Sequence, residues 1–311
     1  MSFADLSPDV IFDVVSTTFQ LPTVPVPTKL PYKPDFEAFE KFHKISGPWN
    51  DALLRLKYRD INKTLFDQVK IDFHSRELLL FPQQDSKEYQ HICCPLSFAE
   101  DLSRIEKLRT VTIAIDGDDS TSGGTSADLK AIARLFHEPQ ELRIMNLTKK
   151  HCLEGQFISL LSHDFTDIRI EDVRGQATAL KKFLSRGLRC PKLRYLEIIK
   201  CDTYKSLCND LLENVKSGAT RYIILEQSSQ KFDIAFFQEV IDWWQREGAG
   251  KERFLKFALR RSDGKKLLET LGDTLTSHSM RHNTCEKSFV FVTMENCQSV
   301  RLEMKVSNKT M

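Results

Sequence analysis

Leu193-Arg194-Tyr195-Leu196-Glu197-Ile198-Ile199-Lys200-Cys201 reads L-x-x-L-x-L-x-x-C, the clearest of six copies of one frame. Looser copies run through Leu108/Val111/Ile113, Pro139/Leu142/Ile144, Phe165/Ile168/Ile170, Thr220/Ile223/Leu225 and Glu252/Leu255/Phe257. With the middle position as register, successive copies lie 31, 26, 28, 27 and 32 residues apart. A period of that size marks stacked supersecondary units, each burying its apolar face only against its neighbours. Within a copy the alternation is that of a strand. Between copies the apolar residues recur at helical spacing: Leu129/Ile132/Phe136, Phe157/Leu160/Leu161, Leu180/Phe183/Leu184, Leu207/Leu211/Val215, Phe237/Val240/Ile241/Trp244 and Leu267/Leu271/Leu275. Strand–helix–strand units of this length join parallel strands through right-handed crossovers. The sequence predicts an α/β solenoid with parallel strands over 109–115, 141–146, 167–172, 194–200, 222–226 and 254–259, and helices on the other side.

The two ends depart from this frame. Ser288–Met294 and Val300–Val306 alternate about a turn at Glu295-Asn296-Cys297-Gln298 with no helix between them, which predicts an antiparallel hairpin capping the open end. Upstream, Phe66–Ile71 fits the frame again and Glu77–Phe81 reads as its antiparallel partner. Residues 6–19 read as a short helix with Pro8 in the first turn, where a missing N–H costs nothing, and Val10, Ile11, Val14 and Val15 at helical spacing. Five of the eleven prolines then fall at Pro22, Pro25, Pro27, Pro31 and Pro34, making residues 20–34 a stiff extended linker. Phe36, Phe39, Phe42 and Ile45 continue a helical pattern, Gly47-Pro48 breaks it, and a further helix starts at Trp49. The expected division is a helical segment over 1–60 and a repeat domain over 61–311.

Charge and cysteine usage exclude several classes. The chain has 45 basic and 43 acidic residues, with no long block of one sign, so a nucleic-acid channel is not expected. No apolar run approaches the roughly 20 residues that span a bilayer, and Asp5 and Asp9 occupy the place of a basic leader region. Eight cysteines lack any C-x-x-C pair, as free thiols in a reducing compartment would; the expectation is a cytoplasmic or nuclear protein. Cys190, Cys201 and Cys208 with His151 lack the paired spacing of a zinc site, and no cofactor is expected. The one enzyme-like stretch is Val111–Ser120, where an apolar strand ends in D-x-D-x-S at Asp116 and Asp118. This resembles the first motif of haloacid-dehalogenase-type phosphatases, in which the first Asp attacks phosphorus and the second serves as acid and base. The lysine and later acidic pair of such a site are not in evidence, since downstream strands end in Glu171-Asp172 and Glu226-Gln227. The expectation is a binding protein without its own chemistry. Of the adjacent Trp243 and Trp244, one ring is expected in the core and the other partly exposed for contact.

Two further stretches carry a resemblance. Leu6-Ser7-Pro8-Asp9-Val10-Ile11-Phe12-Asp13-Val14-Val15 resembles the opening L-P-x-x-[VI]-[LI]-x-x-[VI] of F-box motifs, and Phe39–Trp49, with Ile45-Ser46-Gly47-Pro48-Trp49, resembles their second half. Followed by strand–helix units, this order is similar to F-box/leucine-rich-repeat proteins, closest to the divergent F-box-like families expanded in nematodes. The resemblance implies that Leu6, Pro8, Val10, Ile11, Val14, Ile45 and Trp49 dock on a Skp1-like adaptor of a cullin ubiquitin ligase, while the repeats hold a protein substrate. The proline-rich insertion departs from the family's short loop. A plainer alternative is a helical cap closing the first repeat of a stand-alone interaction protein.

Overall fold

The computed structural model describes, with short gaps, residues 65–83, 92–96, 108–117, 126–148, 153–258 and 277–306, and a few isolated positions including Ser7 and Val10. The chain forms two compact units, Met1–Gln140 with Leu160–His163, and Glu141–Ser159 with Asp164–Met311. Both are mixed α/β, and neither described sheet closes into a barrel.

In the first unit, strands β1 (Leu65–Asp72), β2 (Glu77–Pro82), β3 (Ile92–Pro95) and β4 (Leu108–Asp116) are ordered β3-β2-β1-β4, with the two-residue β5 (Phe136–His137) beside β4. β1 and β2 pair antiparallel, as expected, about a turn in which the Ser75 N–H donates to Asp72 Oδ1 at 3.0 Å. β1 and β4 run parallel, and Val69, Ile71, Leu78, Leu80, Ile113 and Ile115 are fully buried. Helix α1 (Ser126–Arg134) buries Leu129 and Ile132, but stops short of Phe136. Phe136 instead leaves the expected helix and pairs with Leu108, because Leu135 already gives its carbonyl to the Leu108 N–H at 2.7 Å.

The second unit carries the repeat. β6 (Glu141–Met145), α2 (Leu153–Leu160), β7 (Asp167–Glu171), α3 (Ala177–Gly187), β8 (Tyr195–Ile199), α4 (Leu207–Ser217), β9 (Tyr222–Glu226), α5 (Ile234–Glu247) and β10 (Arg253–Ala258) follow one another, and all five strands are parallel. The expected strands are met within a residue. The frame's middle positions Leu142, Ile168, Leu196, Ile223 and Leu255 are register partners across the sheet. So are Ile144, Ile170, Ile198, Leu225 and Phe257, and all ten side chains are fully buried. Each is worth about 1.5–3 kcal/mol of hydrophobic burial before chain entropy is set against it.

A second period appears at the strand exits. Asn146, Asp172, Lys200 and Gln227 each follow a strand directly, and each takes a left-handed φ between 50° and 59°. The N–H of Asn146 donates to the Glu171 carbonyl, Asp172 to Ile199 and Lys200 to Glu226, at 2.9–3.0 Å. Leu147, Val173 and Cys201 come next in their respective units and are buried. The cysteine ending the quoted frame is thus an apolar filler.

The C-terminal strands are β11 (Ser277–Arg281), β12 (Ser288–Asn296) and β13 (Ser299–Val306). β12 and β13 make the expected antiparallel hairpin. β13 lies antiparallel on β10, and β11, which the sequence did not announce, forms the outer strand, giving the order β6-β7-β8-β9-β10-β13-β12-β11. The helix expected around Leu267, Leu271 and Leu275 lies outside the described residues. Trp243 and Trp244 are both buried, against the expectation that one is exposed. Trp244 is covered edge-to-face by His282 at 5.0 Å, and Trp243 lies under the Lys251 ammonium at 5.1 Å.

Candidate functional site

Helices cover one face of the second unit's sheet. Phe257 of β10 meets Phe232, Phe236 and Phe237 at ring distances of 4.6–5.8 Å, and Gly187 of α3 sits where a Cβ would lie 3.3 Å from Ile168 Cδ1. Since side chains alternate along a strand, the neighbours of these buried residues point to the opposite face. One row there runs in register through Glu141, Asp167, Tyr195, Tyr222, Phe254, Glu303, Phe291 and Ser279. Its middle is aromatic: Tyr195 to Tyr222 is 6.2 Å and Tyr222 to Phe254 is 5.9 Å between ring centroids. Tyr222 is 49% exposed and Phe291 38%, unusual values for large apolar rings on a strand.

Cations sit over three of these rings, Tyr195, Phe254 and Phe291, and carboxylates hold the cations. Arg169 lies 5.0 Å over Tyr195, Arg301 5.2 Å over Phe254, and Lys305 5.5 Å over Phe291. Glu141 pairs with Arg169 at 3.0 Å and Arg143 at 2.8 Å, Glu226 pairs with Lys256, and Glu303 pairs with both Arg301 and Lys305. Each cation–π contact contributes about 0.5–1 kcal/mol at an exposed site and, together with its ion pair, keeps the ring and head group in one place. The face is therefore pre-shaped, amphipathic and rich in the residue types that dominate protein contacts.

At the end where β9 and β10 begin, the sheet edge holds a pocket of about 300 Å³ lined by residues of both parities: Arg221, Tyr222, Glu252, Arg253, Phe254, Glu303, Met304 and Lys305. Arg253 is only 7% exposed. Its Nη1 donates to the Glu252 carbonyl, and its Nε is buried with no hydrogen-bond partner. Burial first, and then the Arg221 charge, push the Arg253 guanidinium below its ordinary value.

The residues singled out from the sequence fare differently. Leu6, Pro8, Ile11, Val14, Ile45 and Trp49 lie outside the described residues. Val10 is described: it is 44% exposed, and its N–H donates to Ser7 Oγ at 3.4 Å, an N-cap arrangement. Asp116 ends β4 and pairs with Lys70 at 3.0 Å; Asp118 lies outside the described residues, as does His151. Cys201 donates to the Ile199 carbonyl at 3.0 Å, and burial pushes its thiol up to about 11, so it stays protonated and is a poor metal ligand. Among the described residues no group of three His, Cys, Asp or Glu gathers as a cation site, and no helix is long and apolar enough to cross a membrane.

The aromatic row went unread in the sequence, although a signal was there. Tyr195, Tyr222 and Phe254 stand one residue before the middle position in three successive copies. Comparison with family models, curated proteins and solved structures gives no match.

Proposed function

We propose that this chain is a substrate-recruiting adaptor. Its strand–helix units are read as a leucine-rich-repeat-like solenoid whose open face holds a protein substrate. The segment containing Leu6, Pro8, Val10, Ile11, Val14, Ile45 and Trp49 would engage a Skp1-like adaptor of a cullin-type ubiquitin ligase. The observation that carries the binding half is the aromatic row Tyr195–Tyr222–Phe254, its two outer rings under cations, on the face that the helices leave open. Exposed rings already ordered lose little freedom on association, which is what a protein-contact surface needs. Any chemistry belongs to the partners in this reading.

Co-purification tests the two halves separately. The intact chain is expected to bring down a Skp1-like protein, and Val10→Asp with Val14→Asp to lose it while the circular dichroism stays unchanged. Tyr222→Ala with Phe254→Ala is expected to lose substrate and keep the adaptor. No adaptor recovered with the intact chain reduces the reading to a stand-alone interaction protein. Hydrolysis of a phosphate ester with Mg²⁺, abolished by Asp116→Asn, would replace it with the phosphatase reading.

A further inference from the structure

We infer that the Arg221–Arg253 pocket is a carboxylate receptor, taking an Asp or Glu side chain of the protein that lies along the aromatic row. The inference rests on the reading of that row as a partner-binding face. Its basis is a mismatch in charge. Along the aromatic row the cations have counter-ions: Glu303 serves Arg301 and Lys305, the latter in the pocket wall, Glu226 serves Lys256, and Glu141 serves Arg143 and Arg169. Arg253 is nine-tenths buried, and Arg221, of the same sign, lines the same pocket. Among the described residues neither arginine has a carboxylate partner, and Arg253 Nε has no partner of any kind. A buried guanidinium left this way is costly to the folded chain, and an incoming anion that pairs with it removes that cost.

The shape narrows the anion. Arg221, just ahead of β9, and Arg253, the first residue of β10, line about 300 Å³, the low end of small-ligand pockets and ample for one side chain. Guanidinium presents paired donors that match the two oxygens of a carboxylate. Tyr222 and Phe254 form part of the same wall, so a chain whose acidic residue enters the pocket lays its neighbours on the rings. Glu252 and Glu303 also line the pocket; Glu303 is neutralised by its two cations, which leaves the arginines in excess over Glu252.

The test uses the full chain and three fluorescent peptide pools, each seven residues with aromatic or aliphatic residues flanking a fixed centre. One pool has Glu at the centre and blocked ends, one has Gln and blocked ends, and one has Gln and a free C-terminal carboxylate. By anisotropy the Glu pool is expected to bind about tenfold more tightly than the blocked Gln pool. Arg253→Met, which keeps the apolar stem, is expected to erase that ratio, while Tyr222→Ala weakens both pools alike. Equal binding of Glu and Gln pools, or a ratio that survives Arg253→Met, overturns the receptor and leaves the aromatic face standing. Tighter binding of the free-carboxylate pool than of the Glu pool overturns the side-chain assignment. Binding of none of the pools overturns receptor and face together.

Discussion

The parallel strands β6–β10 and the antiparallel strands β11–β13 belong to one sheet portion but are built on different terms. Each parallel strand is bought by a helix, because the chain must travel back over the sheet before it can pair again. That journey imposes a period, and the period places Leu, Ile, Asp and Tyr at matching heights in successive units. The antiparallel strands need no crossover. They pair in ladders, β13 on β10, β12 on β13 and β11 on β12, and are tied to α5 and the turn after it by His282 Nε2 to the Trp244 carbonyl at 2.8 Å, Gln245 Nε2 to the Arg281 carbonyl at 3.2 Å, and the Gly250 N–H to Ser288 Oγ at 3.0 Å. Repetition sets a helix between each pair of successive parallel strands, whereas β11, β12 and β13 follow one another with none between them.

The largest effect is expected where the period is densest. Leu196→Ala leaves a cavity between fully buried neighbours on both sides and should cost about 3 kcal/mol in urea unfolding. A loss under 1 kcal/mol would mean that the units are loosely stacked. His282→Ala comes next. The ring's Nδ1 accepts the Thr284 N–H at 3.2 Å, so Nε2 carries the proton donated to Trp244. Removing it should cost about 2 kcal/mol. Hydrogen exchange should then quicken in β11 and β12 while β7 and β8 keep their protection; equal acceleration everywhere would erase the proposed contrast.

Cys201→Val gives the smallest effect and the sharpest one in pH. The buried thiol titrates at about 11, above its ordinary 9.0, so the folded chain holds that proton more tightly than the unfolded chain. Its stability contribution is whole below pH 9 and falls as pH rises toward 11. Near pH 10 wild type should have lost about 1 kcal/mol relative to the valine variant, with no such drift between pH 6 and 8. Parallel pH curves for the two proteins would show the thiol to be hydrated.

This contrast also explains what the sequence disclosed. The parallel strands were legible because Leu142, Ile168, Leu196, Ile223 and Leu255 recur at the spacing of successive strand–helix units. Phe136 was misassigned because a helix and a two-residue bridge both bury it, and apolar spacing cannot separate them. β11 went unseen because Ser277–Arg281 holds one apolar residue, Met280, and so shows no alternation of its own beside its partner β12. One ring of the Trp243–Trp244 pair was expected to be partly exposed because the cover over Trp244, His282, comes from outside its own helix. The pocket arginine was invisible for a similar reason: Arg253 reads as an ordinary strand-edge charge until β13 closes beside it.

The left-handed residues at the strand exits have a consequence for how such a chain can change. Asn146, Asp172, Lys200 and Gln227 are 26, 28 and 27 residues apart, yet the first three meet the next strand with the same hydrogen bond. Differences in length are absorbed between one exit and the next, so they do not accumulate along the array. Each joint resets the count. An insertion or deletion of a residue or two on the helical side should therefore leave every downstream strand in phase, and a lineage could edit one unit without rewriting the rest.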